Sequence, residues 1–367
     1  MEGRFLWRIS SGAVLALLCL APPVMAQRGP GAIVQRYPHD FVPDRIVHLY
    51  PDGQHADHGI IEDGVPVTLG PGEANRTDTT EFYWERDGSL NAVSDSARIV
   101  LYFPRPAKTE NHPSPTGQMI LICPGGGYNE LMFRSEGTYA AEHLTRQGYA
   151  VGIICYRMPT GNGALPLTDV QNAFRYCRHH AGEWGIRQIG IMGMSAGGHL
   201  AAMASTRFVD AATRPDFTIL FYPVVSADPG LIHRGSFRRL TGLDPRWITA
   251  ASEALSRNEA PATDSLARAC ALVERYAPDR YITADTPSAL LLHSANDGVN
   301  PENSLRYYQR LHDCGVPAEL HIFPSGGHGW GFNTRQTAGR DKLEPYRDAF
   351  FDALYAFLDG LRTGPIR

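Results

Sequence analysis

Cysteine is scarce, six in 367 residues, and there is neither a Cys-x-x-Cys pair nor a His-Glu-x-x-His segment, so no structural zinc cluster or metalloprotease helix is recognisable. His55-Ala56-Asp57-His58 and His179-His180 contain ligand types without such spacing and read as solvated or structural histidines, so no metal is expected. An excess of charge of one sign is also missing. With 34 basic and 38 acidic residues the formal net charge is -4, which gives no electrostatic reason to expect nucleic acid or an anionic membrane as partner. No repeat or low-complexity tract occurs, and past the amino terminus no apolar run approaches the ~20 residues of a membrane-spanning helix.

What is present suits a soluble globular chain, with 43% hydrophobic and 20% charged residues, enough for one large core or two smaller ones. The first 26 residues differ from the rest. Arg4 and Arg8 precede an apolar stretch from Ala13 to Leu20, then Pro22, Pro23 and the small-residue site Val24-Met25-Ala26, which is the pattern of a secretory signal cut before Gln27. An exported, periplasmic or secreted protein is expected, without membrane insertion. Five cysteines then remain: Cys123, Cys155, Cys177, Cys270 and Cys314. Their odd number and wide spacing argue against a disulfide framework, and three sit in apolar patterns where a thiol is a small buried hydrophobe, although export permits one disulfide.

Residues 27–44 contain Pro and Arg without periodicity and read as an arm or linker, ahead of one domain over 45–367. Short apolar pieces broken by Gly64-Val65-Pro66 and Gly70-Pro71-Gly72 predict edge strands and loops, and Ala97 to Phe103 a strand stopped by Pro104. From Gln118 the pattern becomes regular. Met119 to Cys123, Ala150 to Cys155, Gln188 to Met192, Phe217 to Tyr222, Ala289 to His293 and Glu319 to Phe323 are short strand-like runs, most of them apolar throughout. Helix patterns lie between them: Gly137 to Gln147, Leu167 to Trp184, Gly197 to Arg207, Asn303 to Cys314 and Leu343 to Leu361. This alternation implies an α/β protein with a mainly parallel central sheet flanked by helices. Residues 228–284 depart from the rhythm, with two helical patches, Trp247 to Ser256 and Thr263 to Tyr276, and read as a small cap above the carboxyl ends of the strands.

Gly193-Met194-Ser195-Ala196-Gly197 closes an apolar strand and opens a helix pattern, which places Ser195 on an elbow where crowding demands glycine on either side. An acyl-transfer serine needs a base, an acid to hold the base, and oxyanion donors. His328, in the Gly-rich loop after the last strand, is the base expected. Asp297, the only carboxylate between Thr286 and Pro301, is the acid, with Asp285 and Asp228 in reserve. Cys123-Pro124-Gly125-Gly126-Gly127-Tyr128 follows a strand, so the N–H groups of Gly126 and Gly127, with that of Ala196, are the oxyanion donors. No Lys-Ser or Lys-Thr follows these glycines, which disfavours a phosphate loop. Tyr128, Trp184 and Trp330 read as core or rim aromatics. Tyr128 and Trp330 adjoin the site loops and are assigned as a face for a sugar ring.

Pro124-Gly125-Gly126-Gly127-Tyr128, Tyr156-Arg157-Met158-Pro159, Gly193-Met194-Ser195-Ala196-Gly197-Gly198-His199-Leu200, Tyr222-Pro223-Val224-Val225-Ser226, Glu302-Asn303-Ser304 and Gly326-Gly327-His328-Gly329-Trp330-Gly331 together resemble secreted bacterial α/β-hydrolase carbohydrate esterases of the acetylxylan-esterase-like type, from about Arg45 to Leu361. The resemblance implies removal of O-acetyl groups from plant cell-wall polysaccharides, chiefly xylan, by a Ser-Asp-His triad through an acyl-enzyme, with no cofactor. The partner it implies is an acetylated polysaccharide or oligosaccharide. Feruloyl or general short-chain carboxylesterase activity is the alternative, and a catalytically silent polysaccharide-binding protein is the alternative of another class. The chain departs from the family in two places. The acid loop Asn296-Asp297-Gly298-Val299-Asn300 has one aspartate where the family has a pair and is a residue shorter, and 246–265 looks like an insertion expected to alter the pocket rim. Oligomeric state has no signature in the residues.

Overall fold

The structure, a computed structural model, describes residues 33–35, 41–50, 82–84, 90–91, 97–104, 113–333 and 342–363. Residues 1–26, expected as a secretory signal, most of residues 27–44, expected as an arm, and His55-Ala56-Asp57-His58 lie outside them. An eight-stranded sheet organises the chain. Its centre is built from β6 (Gln118–Cys123), β8 (Ala150–Cys155), β9 (Gln188–Met194), β10 (Thr218–Phe221) and β11 (Ala289–Ser294), each buried along its whole length. Residues such as Ile120, Leu121 and Ile122 are apolar on both sides of the pleat because helices cover both faces. β12 (Ala318–Phe323) closes one edge and is half-exposed, so Glu319 and His321 are tolerated there. β5 (Arg98–Tyr102) and β2 (Arg45–His48) close the other.

Across the sheet the order is β12-β11-β10-β9-β6-β8-β5-β2. All neighbours from β12 to β8 run parallel, while β5 pairs antiparallel with β8 and β2 with β5. Small ladders join β1 (Ile33–Gln35) to β3 (Phe82–Trp84) and β4 (Leu90–Asn91) to β7 (Glu130–Leu131). Parallel strands return through helices, α1 (Tyr139–Arg146), α2 (Ala164–His180), α3 (Ala196–Thr206) and α7 (Glu302–Asp313), and α8 (Arg347–Thr363) follows the last strand. The strands and helices expected from Ala97 onward are all present, most with ends shifted by a few residues, whereas the edge strands expected around Gly64-Val65-Pro66 and Gly70-Pro71-Gly72 lie outside the described residues. Helix α1 is preceded by one π-helical turn, Arg134–Thr138, a rarity that concentrates at functional sites.

The cap holds three helices where two are legible: α4 (Arg234–Thr241), α5 (Pro245–Arg257) and α6 (Asp264–Arg275). Asp244 followed by Pro245 starts α5, and Thr263 caps α6. Helix α4 has no such signal because its cap is His233, whose Nδ1 accepts the Ser236 N–H at 3.2 Å. All five cysteines of the domain are free, four of them buried and Cys314 partly so. Among the described residues no helix is long and apolar enough to cross a membrane.

Candidate active site

Ser195 stands at the carboxyl end of β9 with φ 55° and ψ -119°, a left-handed backbone that a serine adopts only under constraint. The constraint is close packing. A methyl group at Gly193 would lie 2.1 Å from the Gly197 carbonyl oxygen, and one at Gly197 would lie 2.0 Å from that of Cys123. Only glycine fits either place. The Ser195 N–H donates to the Phe221 carbonyl (3.0 Å), which locks the elbow to β10, and α3 begins directly below with its positive dipole end facing the serine.

Because β9, β11 and β12 are parallel, the loops that leave them emerge on one side of the sheet. That brings together residues far apart in sequence. Ser195 Oγ is 2.9 Å from His328 Nε2, and His328 Nδ1 is 2.8 and 3.0 Å from the two oxygens of Asp297. Asp297 also accepts the Val299 N–H (2.7 Å), and its side chain is sealed from solvent. The short acid loop therefore still delivers its carboxylate to the ring. Below the loop, fully buried His293 places Nε2 3.1 Å from the Val299 carbonyl and Nδ1 2.8 Å from Ser304 Oγ. A carbonyl only accepts, so Nε2 carries a proton. Burial pushes the ring's pKa down to about 4. The reserve acids serve elsewhere: Asp285 is exposed, and Asp228 pairs with Arg280 (3.3 Å) and Arg306.

On the other side of Ser195, the loop after β6 runs with Gly126 at φ 126°, Gly127 at φ 64° and Tyr128 at φ 60°. The N–H groups of Gly126 and Gly127 donate to no acceptor among the described residues, and Ala196 N–H, in the first turn of α3, has no carbonyl one turn back. Gly125 N–H is different, since it donates to Glu136 Oε2 at 2.8 Å. Tyr156 fixes the loop from below by donating its hydroxyl proton to the Pro124 carbonyl (2.6 Å).

The sugar-facing assignment of Tyr128 and Trp330 is corrected. Both are buried, 1% and 0% exposed, and neither offers a ring face to a ligand. Trp330 packs edge-on against Phe221, Tyr222, Phe323 and Phe350, which pins the far end of the His328 loop. Tyr128 donates its hydroxyl to His199 Nδ1 (2.7 Å), and His199 Nε2–H donates to the Tyr276 carbonyl of the cap (2.7 Å). This neutral ring, its pKa lowered to about 4 by burial, connects the Gly-rich loop after β6, α3 and the cap. The rim itself is reached by α4: Arg239 donates to Asn129 Oδ1, and the Arg239 and Leu240 carbonyls accept the Gly161 and Gly163 N–H groups. The 246–265 segment forms most of α5 and the start of α6, and α5 packs on α4. Glu136, His199, His293 and Tyr222 were not singled out as site residues from the sequence. A histidine within an apolar strand, as at His293, is the clearest signal among them.

Comparison with known proteins agrees with this fold. The acetylxylan esterase of Xylanibacter ruminicola is 33% identical over 256 residues, 67% of this chain and 46% of that protein, so the chain spans about half the length of this curated relative. An acetyl ester-xyloside bifunctional hydrolase from Caldicellulosiruptor lactoaceticus superposes with a TM-score of 0.52 at 27% identity, covering 71% of this chain and 88% of that one. A sugar hydrolase from Lactococcus lactis gives 0.53 at 29% identity, covering 74% and 98%. A family model described as the alpha/beta hydrolase fold matches residues 120–332, more than half of the sequence, and the chain therefore belongs to the α/β-hydrolase family.

Proposed function

We propose that the chain is a carboxylic ester hydrolase, and more narrowly a serine esterase that removes O-acetyl groups from plant cell-wall polysaccharide such as acetylxylan. The observation that carries the reading is the unbroken line from Ser195 Oγ through His328 to the sealed carboxylate of Asp297, at 2.9 and 2.8 Å, beside N–H groups without partners. In the proposed reaction His328 Nε2 takes the Ser195 proton as Oγ attacks the ester carbonyl. The N–H groups of Gly126, Gly127 and Ala196 receive the developing oxyanion, and Asp297 stabilises the imidazolium and fixes its tautomer. His328 then returns the proton to the departing sugar oxygen, and water, activated by the same ring, releases acetate.

The acetyl and xylan part of the reading draws on the names of the Xylanibacter and Caldicellulosiruptor relatives. Feruloyl or general short-chain esterase activity remains the competing substrate class, and acetate release from acetylated xylan, pectin and mannan, set beside a ferulate ester and an acyl chain-length series, separates them. Ser195→Ala is expected to lower turnover of an aryl acetate by about 10⁴-fold or more, and an undiminished rate ends the proposal. Rapid labelling of Ser195 by a fluorophosphonate distinguishes an esterase from a silent binding protein. Export is proposed on residues 1–26, and a mature chain beginning at Gln27 is the outcome that supports it.

A further inference from the structure

We propose that Glu136 is a positioning residue of this site, a second buried carboxylate that holds the oxyanion loop with one oxygen and Tyr222 with the other while its negative charge backs the His328 ring. The inference rests on the esterase reading and adds a residue to it. Glu136 lies in the π-helical turn that follows the Gly-rich loop, and it is buried, 3% exposed. Oε2 accepts the Gly125 N–H at 2.8 Å and Oε1 the Tyr222 hydroxyl at 3.1 Å. Both oxygens accept, as an ionised carboxylate requires.

The fit is tight on each side. A methyl group at Gly125 would lie 2.5 Å from Glu136 Oε2 and 3.0 Å from Ser195 Cβ, so the carboxylate and the serine press on the same glycine from two directions. By consuming the Gly125 N–H, Glu136 turns that peptide inward and leaves the next two N–H groups of the loop unbonded. Tyr222 packs its ring 4.8 Å from that of His328, in a strained backbone with φ 37°, and its hydroxyl is the contact that carries Glu136 to the histidine side of the site. The Gly329 Cα–H lies on the same side, a Cβ there falling 3.9 Å from Glu136 Oε1.

Burial pushes the Glu136 carboxyl above its ordinary range, opposed in part by the Gly125 N–H, the His328 ring, the Tyr222 hydroxyl and Lys342, which favour its charged form. Several other groups face His328: Asp297 from the acid loop, neutral His293 from β11, Tyr222 after β10, His233 from the cap, and Lys342, whose Nζ donates to the His328 carbonyl (3.3 Å). Only Asp297 and Glu136 among them bring negative charge to a ring that becomes an imidazolium in the reaction.

The test is the pH dependence of kcat/KM on an aryl acetate for wild type, Glu136→Gln and Glu136→Asp, alongside fluorophosphonate labelling of Ser195 and the thermal midpoint of each protein. Removing the charge in Glu136→Gln is expected to lower kcat about tenfold with KM nearly unchanged, and to move the acid limb down by about 0.5 to 1 pH unit. Glu136→Asp keeps the charge but shortens the reach to Gly125, so kcat falls while the limb stays in place. A Gln variant that folds and keeps the wild-type limb overturns the proposal. Should that variant not fold, Glu136→Asp decides alone, since an unchanged kcat or a displaced limb overturns it. Wild type that leaves Ser195 unlabelled overturns the esterase reading and this one together, whereas labelled wild type with an unmoved Gln limb overturns only this one.

Discussion

Asp169 and Asp297 are the same side chain at the same depth, each fully buried and each facing a nitrogen partner, yet their surroundings differ in kind. Asp169 accepts the Tyr50 hydroxyl (2.9 Å), the Arg157 backbone N–H (2.8 Å) and the Arg157 guanidinium from Nε (3.0 Å) and a terminal nitrogen (2.6 Å). Its partner is itself buried, stacks 4.6 Å over the Tyr50 ring, and carries a permanent charge. Asp297 accepts one backbone N–H and hydrogen-bonds one ring, His328, whose side chain is 36% exposed, while neutral His293 stands 3.6 Å away. Saturation with a fixed cation makes Asp169 a tie between α2, β8 and the strand edge at Tyr50. Leaving Asp297 beside a ring that takes up a proton in the proposed reaction lets it respond when that proton arrives.

The sharpest way to break this comparison is to neutralise each carboxylate in turn. Asp297→Asn keeps shape but favours the wrong ring tautomer, and is expected to lower kcat by about 10³- to 10⁴-fold with little change in the thermal midpoint. Asp169→Asn leaves the buried Arg157 charge without its counterion, and should cost about 3–5 kcal/mol of unfolding free energy while kcat per folded molecule stays near wild type. Urea titration and initial rates on both variants check the pair. Equal loss of activity in both would abolish the distinction.

Acid gives a smaller and graded test. His293 and His199, both buried, and half-buried His143 are held neutral, with pKa lowered from 6.5 to about 4. Between those values the unfolded chain binds protons that the fold refuses, so their contribution is whole above about pH 6.5 and is lost as pH falls towards 4, at most about 3 kcal/mol for each ring. Asp279, raised by burial to about 6, acts in the opposite sense, its contribution being lost as pH rises through that value, and offsets part of the change. A thermal midpoint that falls from pH 7 to pH 5 is expected. Amide exchange at Val299, held through Asp297 above His293, should quicken over that interval before exchange at Arg157 does, and simultaneous loosening would place the weakness elsewhere.

Much of this was legible before any coordinates. Strands covered on both faces read as apolar runs, Gly193 and Gly197 mark the elbow, and parallel topology makes Ser195, Asp297 and His328 converge once their order is known. The chemistry that escaped depends on contacts across long stretches of chain. Glu136 is an ordinary acidic residue until a π-helical turn buries it against Gly125, and His199 is just a letter of the elbow motif until Tyr128 and Tyr276 close on its two nitrogens. The error at Tyr128 and Trp330 has the same origin. Proximity in sequence to a site loop does not say on which side of the loop a ring lies, and here both rings lie inward, where their apolar area supports the loops from below.

The finest distinction lies in the hydroxyl of Tyr50. It donates to Asp169 Oδ1 and lies 2.8 Å from Asn172 Nδ2 and 3.3 Å from an Arg157 guanidinium nitrogen, so it is one of several groups that satisfy the buried pair. Tyr50→Phe keeps the ring under the guanidinium and removes only these bonds. Because Asp169 retains its contacts with Arg157, the expected cost is about 1–2 kcal/mol, far below that of losing the charge itself, with kcat and its pH limb unaltered. A change in the limb would mean that the Arg157 network reaches the ring of His328 through Tyr156 and the Pro124 carbonyl, and the two carboxylates would then belong to one electrostatic system rather than two.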